Sequence, residues 1–246
     1  MLAKKNICTA VFDIKDSTEK ASLLPSENYS EVVEEIFDII SACCLKWNIT
    51  IDKFTGDGAQ AFAGAPNTHW DDLQRTISAS ADVIRMIKGR EDYLSFRWKG
   101  EVQVKIGIVE GEALVGFLGK GSMRSFTAIG SAVSLAHRIC AEAPPNSFLI
   151  LTKQDLYSQI SDIEYIKRHR QVKNLKGFND RTFSVVELAP RIEQQELQAL
   201  GRCKECATPL VLIEKPNGLP QLQCPSCILH EEKPSSNRNP LSKDNV

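Results

Sequence analysis

Two aspartates stand where carboxylates could hold a cation, and four cysteines stand where thiolates could hold another. Asp13 closes an apolar, β-prone run over residues 7–12 and is followed by Ile14-Lys15-Asp16-Ser17-Thr18-Glu19. Ser, Thr and Asp with a Glu close behind are helix-start chemistry. A strand that ends in a carboxylate and enters a helix N-terminus suits a metal–phosphate group. The carboxylate holds the cation, and backbone N–H groups without helical partners receive phosphate oxygens. Asp57 lies in Gly56-Asp57-Gly58, a tight turn from which its side chain can reach a neighbouring strand end. Two such carboxylates about 4–5 Å apart would fit a two-metal site with cations roughly 3.5–4 Å from each other. On residue types alone, a helix cap and a turn former account for the same two aspartates.

Near the C-terminus, Cys203-x₂-Cys206 and Cys224-x₂-Cys227 are separated by 17 residues. That spacing predicts a zinc ribbon in which four thiolates close a tetrahedral structural Zn²⁺ site. Residues 211–213 and 219–222 flank Pro216-Asn217-Gly218, a turn signal that predicts a hairpin between the two knuckles. A module of about 30 residues buries little core, so zinc would supply most of its folding energy. With few aromatic or basic residues, it reads as a structural or docking appendage rather than a nucleic-acid reader. The other cysteines, Cys8, Cys43, Cys44 and Cys140, have apolar neighbours and no regular spacing, and are expected to be small core residues.

The elements that must carry these groups follow from hydrophobic periodicity. A strand is expected over 6–13, then a long helix over 26–47 with Val32, Val33, Ile36, Phe37, Ile39, Ile40 and Cys43 on its apolar stripe. A hairpin over 49–64 turns at Gly56-Asp57-Gly58, and a second helix covers 69–88. Residues 102–109 and 113–118 read as another hairpin around Glu110-Gly111. A helix near 131–143, a strand at 147–151, a short helix, and a hairpin of 170–174 with 182–188 complete the pattern. Strands alternating with helices imply an α/β or α+β sheet covered by helices. Ala189-Pro190 opens an expected linker helix to residue 201, and the Pro-, Ser- and Asn-rich stretch from 231 is expected to be disordered.

Bulk properties narrow the function classes. With 42% apolar and 25% charged residues, the chain of 246 residues is expected to be a globular domain with a sizeable core and one small appendage. A formal net charge of −1 offers no basic field for nucleic acid or an anionic membrane. No apolar run approaches the ~20 residues of a membrane span. The start, MLAKKNICTAVFDI, reads as a strand rather than a signal peptide, so a cytoplasmic location is expected.

Five segments, taken in order, resemble the catalytic domain of class III nucleotidyl cyclases, the adenylate and guanylate cyclase superfamily. They are Val11-Phe12-Asp13-Ile14 with Ser17-Thr18; Lys53-Phe54-Thr55-Gly56-Asp57-Gly58; Lys105-Ile106-Gly107-Ile108 through Gly111, Gly116 and Gly119; Thr127 through Arg138; and Asn174-Leu175-Lys176-Gly177-Phe178. The resemblance spans about residues 6–188 and implies an α+β, ferredoxin-like domain with a mixed, mainly antiparallel sheet and covering helices. It implies the domain order 1–189 catalytic, 190–201 linker, 202–230 ribbon and 231–246 tail.

The chemistry it implies is closure of a nucleoside triphosphate to its 3′,5′-cyclic monophosphate with two Mg²⁺ or Mn²⁺ per site. Asp13, Asp57 and the Ile14 backbone would hold the metals, and the backbone from Phe12 and Ile14 to Ser17 the terminal phosphates. Arg138 would stabilise charge on the α-phosphate. Asp13 and Asp57 would come from one subunit and Lys53, Thr127 and Arg138 from its partner, so a homodimer is implied. Arg181 is a further phosphate candidate. Ser134 stands where the family usually has an Asn that orients the ribose, and Asp16 where it usually has a Gly, as a helix cap or as a charge facing the substrate.

Lys53 and Thr127 occupy the base-selecting positions, and the pair resembles the adenylate pattern. The missing Asn and the absence of a receptor module resemble instead the pyrimidine cyclases of Pycsar anti-phage systems, which make cyclic UMP or CMP for a separate effector. The base is therefore left open between adenine and a pyrimidine. Two non-cyclase readings stand beside this one. One is a degenerate cyclase-like domain for dimerisation or nucleotide sensing; the other is a nucleic-acid binder led by the ribbon, which the near-neutral charge disfavours.

Overall fold

The computed structural model describes residues 2–178, 181–192, 211–214 and 220–223. The chain divides into two units, residues 1–192 and 193–246. In the first, strands and helices follow in the order β1 (Ala3–Ile14), α1 (Ser17–Leu23), α2 (Ser26–Lys46), β2 (Thr50–Thr55), β3 (Gly58–Ala63), α3 (Asp72–Gly89), α4 (Glu91–Trp98), β4 (Val104–Leu118) and β5 (Ser125–Ile129). They continue with α5 (Ser131–Glu142), β6 (Ser147–Leu151), α6 (Leu156–Gln159), β7 (Tyr165–Lys173) and β8 (Thr182–Pro190).

The strands form one eight-stranded mixed sheet, ordered β2-β3-β1-β4-β6-β8-β7, with β5 paired to β4. All its pairings are antiparallel except β4 with β6. Leu114 and Val115 of β4 pair with both β1 and β5, so β5 takes the edge that β6 occupies nearer the start of β4. This is the α+β arrangement with a mixed, mainly antiparallel sheet that the resemblance implied.

Both faces of the sheet are covered, and the period-2 alternation of β1 shows how. Cys8, Ala10, Phe12 and Ile14 point into the core beneath α2, α3 and α4. Val11 points to the opposite face, where it packs with Leu135, Ala136 and Ile139 of α5. Of the stripe foreseen on α2, Val32, Val33, Ile36, Ile39, Ile40 and Cys43 are buried, joined by Cys44, while Phe37 is only partly buried against the core. Cys8, Cys43, Cys44 and Cys140 are all buried free thiols, and burial pushes Cys8, Cys44 and Cys140 up to about 12.

Three sequence expectations are corrected. The hairpin around Glu110-Gly111 is instead the single strand β4, because Glu110 and Gly111 keep unbroken register against Cys8 and Ile7. Ala189 and Pro190 do not open a helix; they are the last rungs of β8, opposite Ile166 and Tyr165. The turn at Asp57 is one residue shorter than read: Thr55 faces Gly58, so Gly56-Asp57 alone make the loop, with positive φ at Gly56 only, the pattern of a II′ turn.

In the second unit, Val211–Glu214 pairs antiparallel with Pro220–Gln223. Cys203, Cys206, Cys224 and Cys227, the expected linker helix beyond residue 192 and the tail lie outside the described residues.

Helix α5 is held against β4 by a close approach at Gly107. A Cβ there would stand 2.4 Å from the Cys140 nitrogen and 2.5 Å from the Ala136 oxygen. Those are backbone atoms of a packed helix, so relief requires moving α5. Gly107→Ala is expected to cost about 1–3 kcal/mol by overpacking, or roughly 2–12 °C in melting temperature for a unit of this size. Thermal unfolding by circular dichroism checks it, and an unchanged melting temperature would contradict the contact.

Candidate active site

The end of β1 and the β2–β3 turn bring the two aspartates together. Asp13 sits opposite Gly58 of β3 and Lys105 of β4, and Asp57 immediately precedes Gly58. The Asp13 carboxyl is raised above its ordinary range, first because burial disfavours its charge, then because Asp57 carries the same sign; Lys105 opposes the shift. No salt bridge engages Asp13 or Asp57 among the described residues. Their negative charges are thus left side by side.

Ser17, the buried first residue of α1, donates its hydroxyl to Asp57 Oδ2 and ties the turn to the helix start. Asp16 precedes it with φ 59° and makes no side-chain cap bond; its carboxylate pairs with Lys15 at 2.9 Å. The expected cap is therefore not made. Phe12 and Ile14 are each only 2% exposed and pack into the core, so only their backbone groups remain for a ligand.

On α5, Ser134 and Arg138 are one helical turn apart, and Ser134 is exposed. Between them His137 points inward, its Nε2 2.9 Å from Gln60 Oε1. Burial, followed by the charges of Lys53 and Arg138, lowers its pKa. Arg181 is exposed immediately before β8 and is not brought to the aspartates by any contact in the described residues.

Lys53 and Thr127 form a second cluster. Lys53 Nζ lies 3.5 Å from Thr127 Oγ1, which is buried on β5. A residue with no sequence signal joins them. Asp52 falls at a register irregularity, since Ile51 faces Ala61 and Lys53 faces Gln60. A bulge re-aims a side chain, and here it lets the consecutive Asp52 and Lys53 both approach Thr127. Asp52, whose side chain is 1% exposed, accepts from Thr127 Oγ1 at 2.9 Å, from the Ala128 backbone N–H at 3.3 Å and from Gln60 Nε2.

The carboxylate pair is a hard-oxygen donor set that fits Mg²⁺ or Mn²⁺. No third His, Cys, Asp or Glu completes a cluster among the described residues. That suits cations held by one or two carboxylates and completed by substrate phosphates.

Comparison with known proteins bears on the family and the fold. Residues 1–187 match the family described as adenylate and guanylate cyclase catalytic domain. The adenylyl cyclase CyaB from P. aeruginosa superposes with a TM-score of 0.67 at 25% identity, covering 79% of this chain and 98% of that one. The guanylate cyclase domain of RhGC from Catenaria anguillulae, in complex with GTP, shares the fold with a TM-score of 0.64 at 18% identity, covering 77% and 99%. An uncharacterized protein of Mycobacterium tuberculosis is 28% identical over 152 residues, 62% of this chain and 27% of that protein. The match thus spans about a quarter of the length of these curated relatives. No helix among the described residues is long and apolar enough to cross a membrane. With its cyclase-type sheet and a match over residues 1–187, the chain belongs to the adenylate and guanylate cyclase catalytic domain family.

Proposed function

We propose that the protein is an active nucleotidyl cyclase that converts a nucleoside triphosphate to a 3′,5′-cyclic mononucleotide and pyrophosphate in a homodimer. The observation that carries this is the pairing of Asp13 and Asp57 at one strand end, without a salt bridge among the described residues. A purely structural pair of like charges would destabilise the fold for no return.

Asp13, Asp57 and the Ile14 carbonyl would hold two Mg²⁺ or Mn²⁺, which when bound neutralise phosphate charge and acidify the 3′-hydroxyl. Ser17 keeps Asp57 in place through its hydroxyl. The 3′-oxygen attacks the α-phosphorus, the bond to the bridging oxygen breaks, and pyrophosphate leaves in line. Arg138, always cationic, would meet the charge that accumulates on the α-phosphate, with Ser134 one turn away toward the ribose. Backbone groups from Phe12 to Ser17, and Arg181, would receive the terminal phosphates. Lys53 and Thr127 would face the base.

Sharing of the site between two subunits is supported by the large apolar side chains left exposed around the far end of β4. Phe117 is 52%, Leu118 45% and Met123 85% exposed, a patch of the kind that marks an interaction surface. The zinc reading of Cys203, Cys206, Cys224 and Cys227 rests on their spacing.

Incubation with Mn²⁺ and each of ATP, GTP, CTP and UTP, with products identified by chromatography and mass, tests the proposal. A cyclic mononucleotide that disappears in Asp57→Ala is expected. Cyclic UMP or CMP would associate the enzyme with Pycsar-type defence and a separate effector. A dimeric sample that cyclises none of the four would instead leave a degenerate sensing or dimerisation domain.

A further inference from the structure

Helix α1 has almost nothing apolar to hold it in place. Ser17 is its only buried residue, while Thr18, Glu19, Ala21, Ser22 and Leu23 are exposed. Its seven residues fall well below the roughly 12 at which an isolated helix becomes even marginally stable in water. The position of α1 therefore depends on its ends and on its polar ties. Leu24 anchors the C-terminal end in the core. At the N-terminal end the Ser17 hydroxyl donates to Asp57 Oδ2.

A third tie comes from the half-buried Lys20. Its ammonium donates to the Trp98 carbonyl at 2.9 Å and to the Lys99 carbonyl at 3.1 Å. Trp98 is the last residue of α4 and Lys99 its C-cap, so these are carbonyls that the helix itself leaves without partners. The same bend reaches back a second time, where the Lys15 N–H donates to the Gln103 carbonyl at 2.8 Å. Residues 98–103 thus grip the chain on both sides of Asp16 and Ser17. No carboxylate forms a salt bridge with Lys20 among the described residues. The support behind it is firm: Trp98 is 1% exposed and stacks on Tyr29 with ring centroids 5.7 Å apart. Burial, and then the charge of Asp57, pushes the Tyr29 hydroxyl up, which sets this wall near the aspartate turn.

We propose that Lys20 is a positioning residue for the metal site: by fastening α1 to the bend between α4 and β4 it holds Ser17, and Ser17 holds Asp57 in the orientation that receives a cation. This rests on the reading that Asp57 is a metal ligand. Lys20 is bonded to neither aspartate and acts through Ser17. An ordinary cap for α4 would make the same two bonds. The two roles differ in what loss of the ammonium changes.

The test uses the full chain without nucleotide and follows Mn²⁺ binding by the electron paramagnetic resonance of the free ion. Lys20→Met keeps the apolar stem and removes the donors, whereas Lys20→Arg keeps donors. Loss of a group that orients a metal ligand costs about 10–100-fold in affinity, so Ser17→Ala is expected to weaken Mn²⁺ binding at least about tenfold. Lys20→Met, one step further out, is expected to weaken it at least about fivefold, and Lys20→Arg to stay within about threefold of the wild type. Because the two residues act in series, the double variant is expected to bind within about twofold of Ser17→Ala alone. A folded Lys20→Met protein with wild-type Mn²⁺ affinity overturns the inference, and so does a double variant in which the two losses multiply. If Ser17→Ala does not fold, the contrast between Lys20→Met and Lys20→Arg decides. If the wild type and Asp57→Ala bind Mn²⁺ alike, the metal reading fails separately, and hydrogen exchange still judges the fastening. Faster exchange in Lys20→Met over both 15–23 and 56–58, by at least about threefold, upholds it. Exchange that changes only over 98–103, or not at all, leaves Lys20 a cap for α4 and overturns it.

Discussion

An equimolar, subunit-exchanged mixture of Asp57→Ala and Arg138→Ala proteins is expected to recover about one quarter of wild-type cyclase activity, although each variant alone is nearly inert. Losing a metal carboxylate removes the cation's charge neutralisation, for which a loss of at least about a thousandfold is expected. Losing the guanidinium removes one preorganised transition-state contact, about 10²–10³-fold. In a twofold dimer whose sites each take Asp57 from one subunit and Arg138 from the other, a heterodimer of the variants has one doubly damaged site and one intact site. Random pairing makes half the dimers heterodimers with half their sites whole, hence the quarter. Differently tagged subunits, co-purified to prove exchange, make the measurement decisive. If exchanged dimers stay inert, both residues serve the same subunit's site and the shared-site reading falls.

How much of this was legible in advance depended on the range of the interactions involved. The helix over Ser26–Lys46 and the turn that presents Asp57 are written in local periodicity and in Gly56, so the sequence predicts them to within a residue or two at each end. Strand β4 is not legible as one strand because Glu110-Gly111 has turn composition, while its pairing with β1, from Ala3↔Val115 to Ile14↔Val104, is a long-range fact. Strand β5 leaves little trace because five residues after a Gly-rich stretch carry little periodicity, yet it seats Thr127. α4 was hidden because it starts directly after Gly89-Arg90, which reads as a helix end. Asp13 and Asp57 were found by type and position and joined by a resemblance. Asp52, one residue before Lys53, escaped because strand alternation would send the two to opposite faces; the bulge that overrides alternation has no sequence signature. Gln60 escaped because a polar residue within a buried strand makes sense only with its partners, Asp52 and His137, in place.

The second large effect joins metal, proton and stability at Asp13. Its carboxyl titrates above the ordinary value of 3.8 because of burial and then Asp57. Between 3.8 and that raised value the folded chain keeps a proton that the unfolded chain has released. Metal-free stability therefore falls as pH rises through this window and is level above it. Manganese requires the carboxylate, so its affinity rises with pH through the same window and then plateaus. At neutral pH the metal-free wild type carries the full cost of two adjacent negative charges. Asp13→Asn removes that cost and is expected to raise metal-free stability by about 0.5–2 kcal/mol, as relief of strained functional sites commonly does, with 1 kcal/mol worth roughly 2–4 °C. Mn²⁺ at about a hundred times its dissociation constant should stabilise the wild type by about 2.7 kcal/mol and leave Asp13→Asn almost unmoved. Thermal unfolding at several pH values from about 4.5 to 8, with and without Mn²⁺, reads both effects without any catalysis. An Asp13→Asn protein that is less stable than the wild type without metal would assign Asp13 an ordinary structural role. One that still gains the full Mn²⁺ shift would move the metal away from this strand end.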